Sequence, residues 1–138
     1  MQVFIIGSPL ETAKALSPKH LNNQINEAMT ILNALNGAKA WSNHPVVLQY
    51  RGYEVWLKLY TKILSSYRDG QYTLAETIDS VITQPLFHNQ EFLTQMKRRL
   101  YTKNPHHYSQ WSYLGTSQEN WYFVDGVMRK YVNGKRIE

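Results

Sequence analysis

His20, Asn23, Gln24 and Glu27 are spaced i, i+3, i+4 and i+7. On an α-helix, at about 100° per residue, that spacing sets all four on one ribbon, along one flank of the apolar stripe through Leu21. A carboxylate half-sheltered beside a buried stripe can have its pKa raised and serve as a general acid or base. The ribbon gives Glu27 no lysine or arginine partner on the next turn. One short element upstream lies the chain start, a candidate amine nucleophile. An α-amine titrates near ~7.7–8, so a useful fraction is neutral near neutral pH, whereas a lysine would need a large depression to match it. The same spacing also suits a solvated helix flank with a hydrogen-bonded histidine, and spacing alone does not separate the two.

Other residues with chemical potential are scattered along the chain. In Asn43-His44-Pro45, His44 either caps the helix that Pro45 opens or forms a site wall with Asn43. Arg51 and Glu54 lie three apart and either pair or direct Arg51 at a phosphate backbone. Lys97, Arg98, Arg99 and Lys103 have no acidic residue among them; they form either an ordinary solvated helix face or a patch that binds DNA through counterion release. Arg129, Lys130, Lys135 and Arg136 form a second basic group. The histidines show no metal-ligand spacing, and there is no Gly-rich phosphate loop or Gly-x-Ser-x-Gly elbow. No metal, nucleotide or other cofactor is expected.

These residues need elements to position them. Met1 to Ile6 is apolar and β-branched, a brief buried strand or extended segment. Ser8-Pro9-Leu10-Glu11 is a capping box opening a short helix that ends near Leu16. Ser17-Pro18 opens a longer helix to about Asn36, with a stripe of Leu21, Ile25, Ala28, Leu32 and Leu35 and Gly37 as its stop. After a loop over 38–44, Pro45 opens a helical stretch, kinked at Gly52 and ending near Asp69-Gly70. Thr73 and Glu76 suggest a capping box for a helix to about Val81. Asn89 to Tyr101 forms another, with Phe92, Met96 and Leu100 inward and Lys97, Arg98 and Arg99 outward. Asp125-Gly126 and Asn133-Gly134 are hairpin turn dipeptides between β-rich stretches. The expected fold is mainly α: a compact single-domain helical bundle with a short N-terminal extended segment and a small C-terminal hairpin. Residues 1–108 make the helical core and 109–138 an aromatic and basic appendage.

The chain has 138 residues, enough for one domain with a core of its own. It has no cysteine, which excludes disulfides, thiolate metal sites and cysteine nucleophiles. No apolar run approaches the ~20 residues needed to span a bilayer, and the N-terminus does not read as a signal peptide. A soluble cytoplasmic monomer is expected. A net charge of +5 and a pI near 9.4 favour acidic partners, nucleic acid first. Ten tyrosines and four tryptophans supply rings for a core and for base stacking.

Several stretches resemble the pyrimidine-dimer DNA glycosylase (endonuclease V type) family and its bacterial and phage relatives. They are Glu11 to Leu16, Lys19 to Gln24, Glu27-Ala28, Trp41 to Pro45 and Arg51 to Glu54, with Phe87-His88 and Lys103 to Tyr108 resembling the closing segment. The resemblance covers about residues 9–108. It implies a compact helical bundle acting on double-stranded DNA in a bacterial or phage-infected cell. It further implies an N-terminal amine that attacks the sugar C1′ of the damaged nucleotide, a glutamate that assists, and strand cleavage by β-elimination. Carried over, Glu27 is that glutamate, Met1 carries the amine, and His20 stands where one branch has a histidine. Gln24, Asn23, Asn43, His44 and Arg51 line the site, and Lys97, Arg98, Arg99 and Lys103 bind phosphate. Two features depart from the pattern. Gln2 is bulky, so Met1 is expected to be retained, and Asn23 and Asn26 replace basic residues. A glycosylase using Glu27 to activate water, a target other than a dimer, and a non-catalytic module binding nucleic acid or protein stay open at this point.

Overall fold

Three residue-proline steps open the first three helices, and in each the preceding side chain caps the first turn. In the computed structural model, which describes residues 1–138, α1 spans Pro9–Ala15, α2 Pro18–Leu35 and α3 Pro45–Tyr50. Ser8 accepts from the Glu11 N–H, Ser17 from the His20 N–H, and His44 Nδ1 from the Val46 N–H. Each proline stands where its missing N–H would have had no helical partner.

Helix α2 ends in the Schellman pattern: Gly37 N–H bonds the Ala34 carbonyl and Ala38 N–H the Asn33 carbonyl, with Gly37 at φ 106°. Its buried face runs through Leu21, Ile25, Ala28, Ile31 and Ala34, so the stripe drifts off Leu32 and Leu35, which are only half-buried. The stretch after Pro45 is two helices rather than one kinked helix. Gly52, at φ 90°, takes a left-handed conformation that ends α3 and lets α4, Glu54–Arg68, restart in a new direction. Helix α4 also ends in a Schellman turn, with Gly70 N–H on the Tyr67 carbonyl and Gln71 N–H on the Ser66 carbonyl. That turn brings the start of α5, Tyr72–Val81, one residue before Thr73, so the expected Thr73–Glu76 capping box does not form and Gln71 caps without a side-chain bond. Helix α6 spans Gln90–Lys103 with Asn89 as its cap, and a 3-10 turn follows at Ser109–Leu114.

The chain closes with a three-stranded antiparallel sheet, β1 Asn120–Val124, β2 Val127–Val132 and β3 Lys135–Arg136, in the order β1-β2-β3. Both residues of each connecting dipeptide, Asp125-Gly126 and Asn133-Gly134, have positive φ, as a type I′ turn requires.

Helix α4 lies at the centre, packed by α1, α2 and α5, while β1 packs on α3. One buried cluster runs from Val3 to Tyr122. The tail, expected as an appendage, contributes Trp111, Trp121 and Tyr122 to this same cluster. No helix is long and apolar enough to cross a membrane.

Candidate active site

Residues 1–6 do not form a strand. They run extended and buried against α2 and α4, where their peptide groups need partners. Side chains provide them. Gln24 Oε1 accepts from the Phe4 N–H at 2.7 Å, and Gln24 Nε2 donates to the Gln2 carbonyl at 2.9 Å. The Tyr60 hydroxyl lies 2.9 Å from the Phe4 carbonyl and 3.1 Å from Gln24 Oε1. Thr12 Oγ1 accepts from the Ile6 N–H, and the Tyr122 hydroxyl donates to the Met1 carbonyl. One glutamine amide on α2 thus does for residues 2–4 what a neighbouring strand would do.

Glu27 lies one turn further along the same face. Its Oε2 accepts from Gln24 Nε2 at 3.1 Å and, at the long end of hydrogen bonding, from the Gln2 N–H at 3.4 Å. Oε1 makes no protein hydrogen bond. Burial raises the Glu27 pKa, opposed by the Gln2 N–H, the charge of the Met1 amine, Lys103 and Gln24. The carboxylate is thus half-buried with the charge of the Met1 amine in its field, although the two form no ion pair.

Around this pair stand groups from distant parts of the chain. Lys103, at the C-terminal end of α6, has its pKa lowered by desolvation and by Arg99 and raised by Glu27. Burial, with Glu27 adding to it, raises the Tyr122 hydroxyl, so it stays protonated as a donor. His44 is half-buried, edge-on to the Tyr122 ring at 5.6 Å. Burial and the Met1 amine charge lower its pKa, and its Nδ1 is occupied in capping α3.

His20 sits at the other end of the ribbon. Its Nδ1 is 2.7 Å from the Tyr108 hydroxyl, which also accepts from the Ser17 N–H at 3.0 Å. Burial, Lys103, Lys19 and His107 lower its pKa. His20 thus ties α2 to Tyr108 and makes no hydrogen bond with Glu27. Asn23 and Asn43 are exposed.

The remaining basic residues divide. Arg51 is exposed and lines a separate cavity of about 500 Å³ with Gln49, Tyr53, Phe87 and Phe123. It makes no ion pair with Glu54, whose carboxylate accepts from the Gly52 N–H at 3.0 Å instead. Lys97, Arg98 and Arg99, expected outward, are all half-buried. Arg98 donates to the Thr116 carbonyl and Arg99 to the Ser117 carbonyl and Asn120 Oδ1. Both arginines clamp the chain segment leading into β1. No three His, Asp or Glu side chains converge as a metal site.

With this geometry in view, comparison with known proteins gives one match. Residues 1–66 match the family model of the pyrimidine dimer DNA glycosylases. The matched stretch carries the chain start, α1, α2, α3 and most of α4, and with them Gln24 and Glu27, so the resemblance drawn from the motifs is borne out there. No curated protein and no solved structure matches the chain. Tyr122 and Lys103 lie beyond the stretch that matches the glycosylase family. Sequence reading gave Lys103 only a phosphate role, and it passed over Tyr122 because strand alternation does not say which face of β1 meets the chain start.

Proposed function

We propose that the protein is a DNA glycosylase that excises a damaged or modified pyrimidine, with the Met1 amine as nucleophile and Glu27 as its acid–base partner. The single observation that carries this reading is the placement of the Glu27 carboxylate against the first two residues, half-buried and within the field of the residue 1 amine. The match of residues 1–66 to the glycosylase family supports it.

In this mechanism the neutral amine forms a bond to C1′ as the C1′–base bond breaks. The base leaves with the bonding electrons and takes up a proton, and the amine passes one proton to Glu27. Opening of the sugar ring at O4′, protonated by Glu27, gives the imine. Glu27, a carboxylate again after ring opening, then takes the C2′ proton, and the C2′–H electrons form the C2′–C3′ double bond as the 3′ phosphate leaves by β-elimination. The target nucleotide must leave the base stack for the amine to reach C1′.

A second reading rests on the free Oε1 of Glu27. A water held there would attack C1′ directly and give base excision with no imine. Borohydride trapping on abasic DNA separates the two. A covalent complex with wild type, lost or slowed at least ~100-fold in Glu27→Gln, supports the amine mechanism. One extra residue placed ahead of Met1 should also abolish trapping and leave DNA binding intact. A base-release assay positive without trapping would replace the imine by water attack. Absence of both, with salt-sensitive DNA binding retained, would leave a binding module.

A further inference from the structure

Trp41 has a bulky side chain at φ 67°, a left-handed conformation that large residues rarely adopt. Its turn is closed by the His44 N–H on the Trp41 carbonyl at 2.9 Å. The other three tryptophans are buried, yet Trp41 is 54% exposed. Its indole meets the His44 ring edge-on at 5.9 Å, His44 meets Tyr122 at 5.6 Å, and the Tyr122 hydroxyl holds the Met1 carbonyl. A file of rings therefore leads from the chain start to an indole facing solvent. Lys39, also exposed, flanks it on the same loop.

Neither core packing nor backbone preference accounts for a tryptophan at this place. Burial does not reward it, and the left-handed conformation favours glycine. A large flat ring held in solvent beside a site is suited to stacking on an unpaired base, which offers a π-face whatever its identity. Removing a nucleotide from a duplex leaves a gap in the stack, and a ring that fills it favours the open state.

Resting on the glycosylase reading above, we infer that Trp41 inserts into the base stack at the site of the extruded nucleotide and stacks on the exposed neighbouring base. It acts as a positioning residue for the duplex and takes no part in bond breaking.

The test uses two duplexes of one sequence, one intact and one carrying a tetrahydrofuran abasic analogue. Wild type should prefer the analogue duplex, with tryptophan emission quenched more strongly by it than by the intact one. Trp41→Ala should lose about tenfold of that preference, with affinity for the intact duplex unchanged, and Trp41→Phe should keep most of it. Equal preference in Trp41→Ala and wild type, or equal weakening on both duplexes, would overturn the inference. Trp41→Gly should raise Tm by about 2–4 °C, because glycine fits the left-handed conformation; a fall would mean that Trp41 holds the loop and would also overturn it. Single-stranded abasic DNA needs no insertion, so Trp41→Ala should be trapped on it like wild type. Failure of wild type to trap there would remove the imine chemistry and leave the affinity ratio to judge Trp41.

Discussion

Glu27 gains its character from where Gln2 and Gln24 hold it. A glutamate on an open helix flank would be an ordinary solvated acid. Here the extended chain start covers one side of it, raises its pKa by burial and brings an amine into its field. In the proposed amine mechanism the nucleophile must itself be held, and Met1 has one side-chain tether: the Tyr122 hydroxyl on its carbonyl. Tyr122→Phe should therefore slow imine trapping about tenfold at saturating abasic DNA, roughly the value of one lost hydrogen bond of 1–1.5 kcal/mol in the reacting geometry. DNA affinity and its salt dependence should stay unchanged. An unaltered rate at saturation would show that Phe4 and Gln24 position the amine unaided. That Glu27 shares a helix face with Gln24 was legible in the sequence, because helical spacing reports a shared ribbon. The placement of Tyr122 was not, since it depends on a contact across almost the whole chain.

At the scale of elements, the protein uses buried glutamines where it lacks strands. Gln2, Gln24, Gln49 and Gln95 are all nearly fully buried. Gln49 Oε1 accepts from the Phe123 N–H at 2.7 Å, and Gln95 Nε2 donates to the Glu119 carbonyl at 2.7 Å. Gln2 Nε2 reaches the Trp121 carbonyl at 3.3 Å. An amide offers both a donor and an acceptor; Gln24 uses both on backbone groups, whereas Gln49 Nε2 and Gln2 Oε1 are buried without a partner. Helices and turns were legible because caps, periodicity and Asp-Gly or Asn-Gly pairs are local signals. The docking of residues 1–6 and 115–123 was not, because a glutamine on a helix reads as surface until its partner is known. Gln24→Ala should destabilise the fold by about 2–4 kcal/mol in urea unfolding, since it leaves the Phe4 N–H and the Gln2 carbonyl buried without partners. Gln24→Glu should recover little, because a carboxylate cannot donate to Gln2 and would face Glu27. A Gln24→Ala cost under about 0.5 kcal/mol would mean that the chain start is not fixed on α2 in solution.

Across the whole molecule, ion pairs contribute little to stability. The one salt bridge joins Arg68 to Asp69 at 3.0 Å on the exposed surface, and such pairs are worth about 0–1 kcal/mol. The pH dependence instead comes from sheltered groups of opposite sign. His88 packs among Trp56, Phe87 and Phe92, with Nδ1 3.1 Å from Gln84 Oε1 and Nε2 buried without a partner. Burial pushes its pKa down from 6.5 to about 3. The folded state thus resists a proton that the unfolded chain accepts, so His88 leaves stability intact above pH ~6.5 and erodes it as pH falls towards about 3. His20 and His44, also lowered, act in the same sense. Glu27, raised by burial, acts in the other: its cost appears as pH rises from the ordinary carboxylate range through its folded pKa. His88→Phe keeps the aromatic packing and removes the titration, so at pH 4 it should recover about 3 kcal/mol relative to wild type, from the gap between pH 4 and the ordinary histidine value. Glu27→Gln should be more stable than wild type at pH 8, with the difference vanishing below pH ~4.5. Urea midpoints across that range resolve the two, because one variant flattens the acid limb and the other gains stability only above the ordinary carboxylate range. An acid limb in His88→Phe parallel to that of wild type would place the acid sensitivity in His20 and His44, at the helix starts that hold the candidate site.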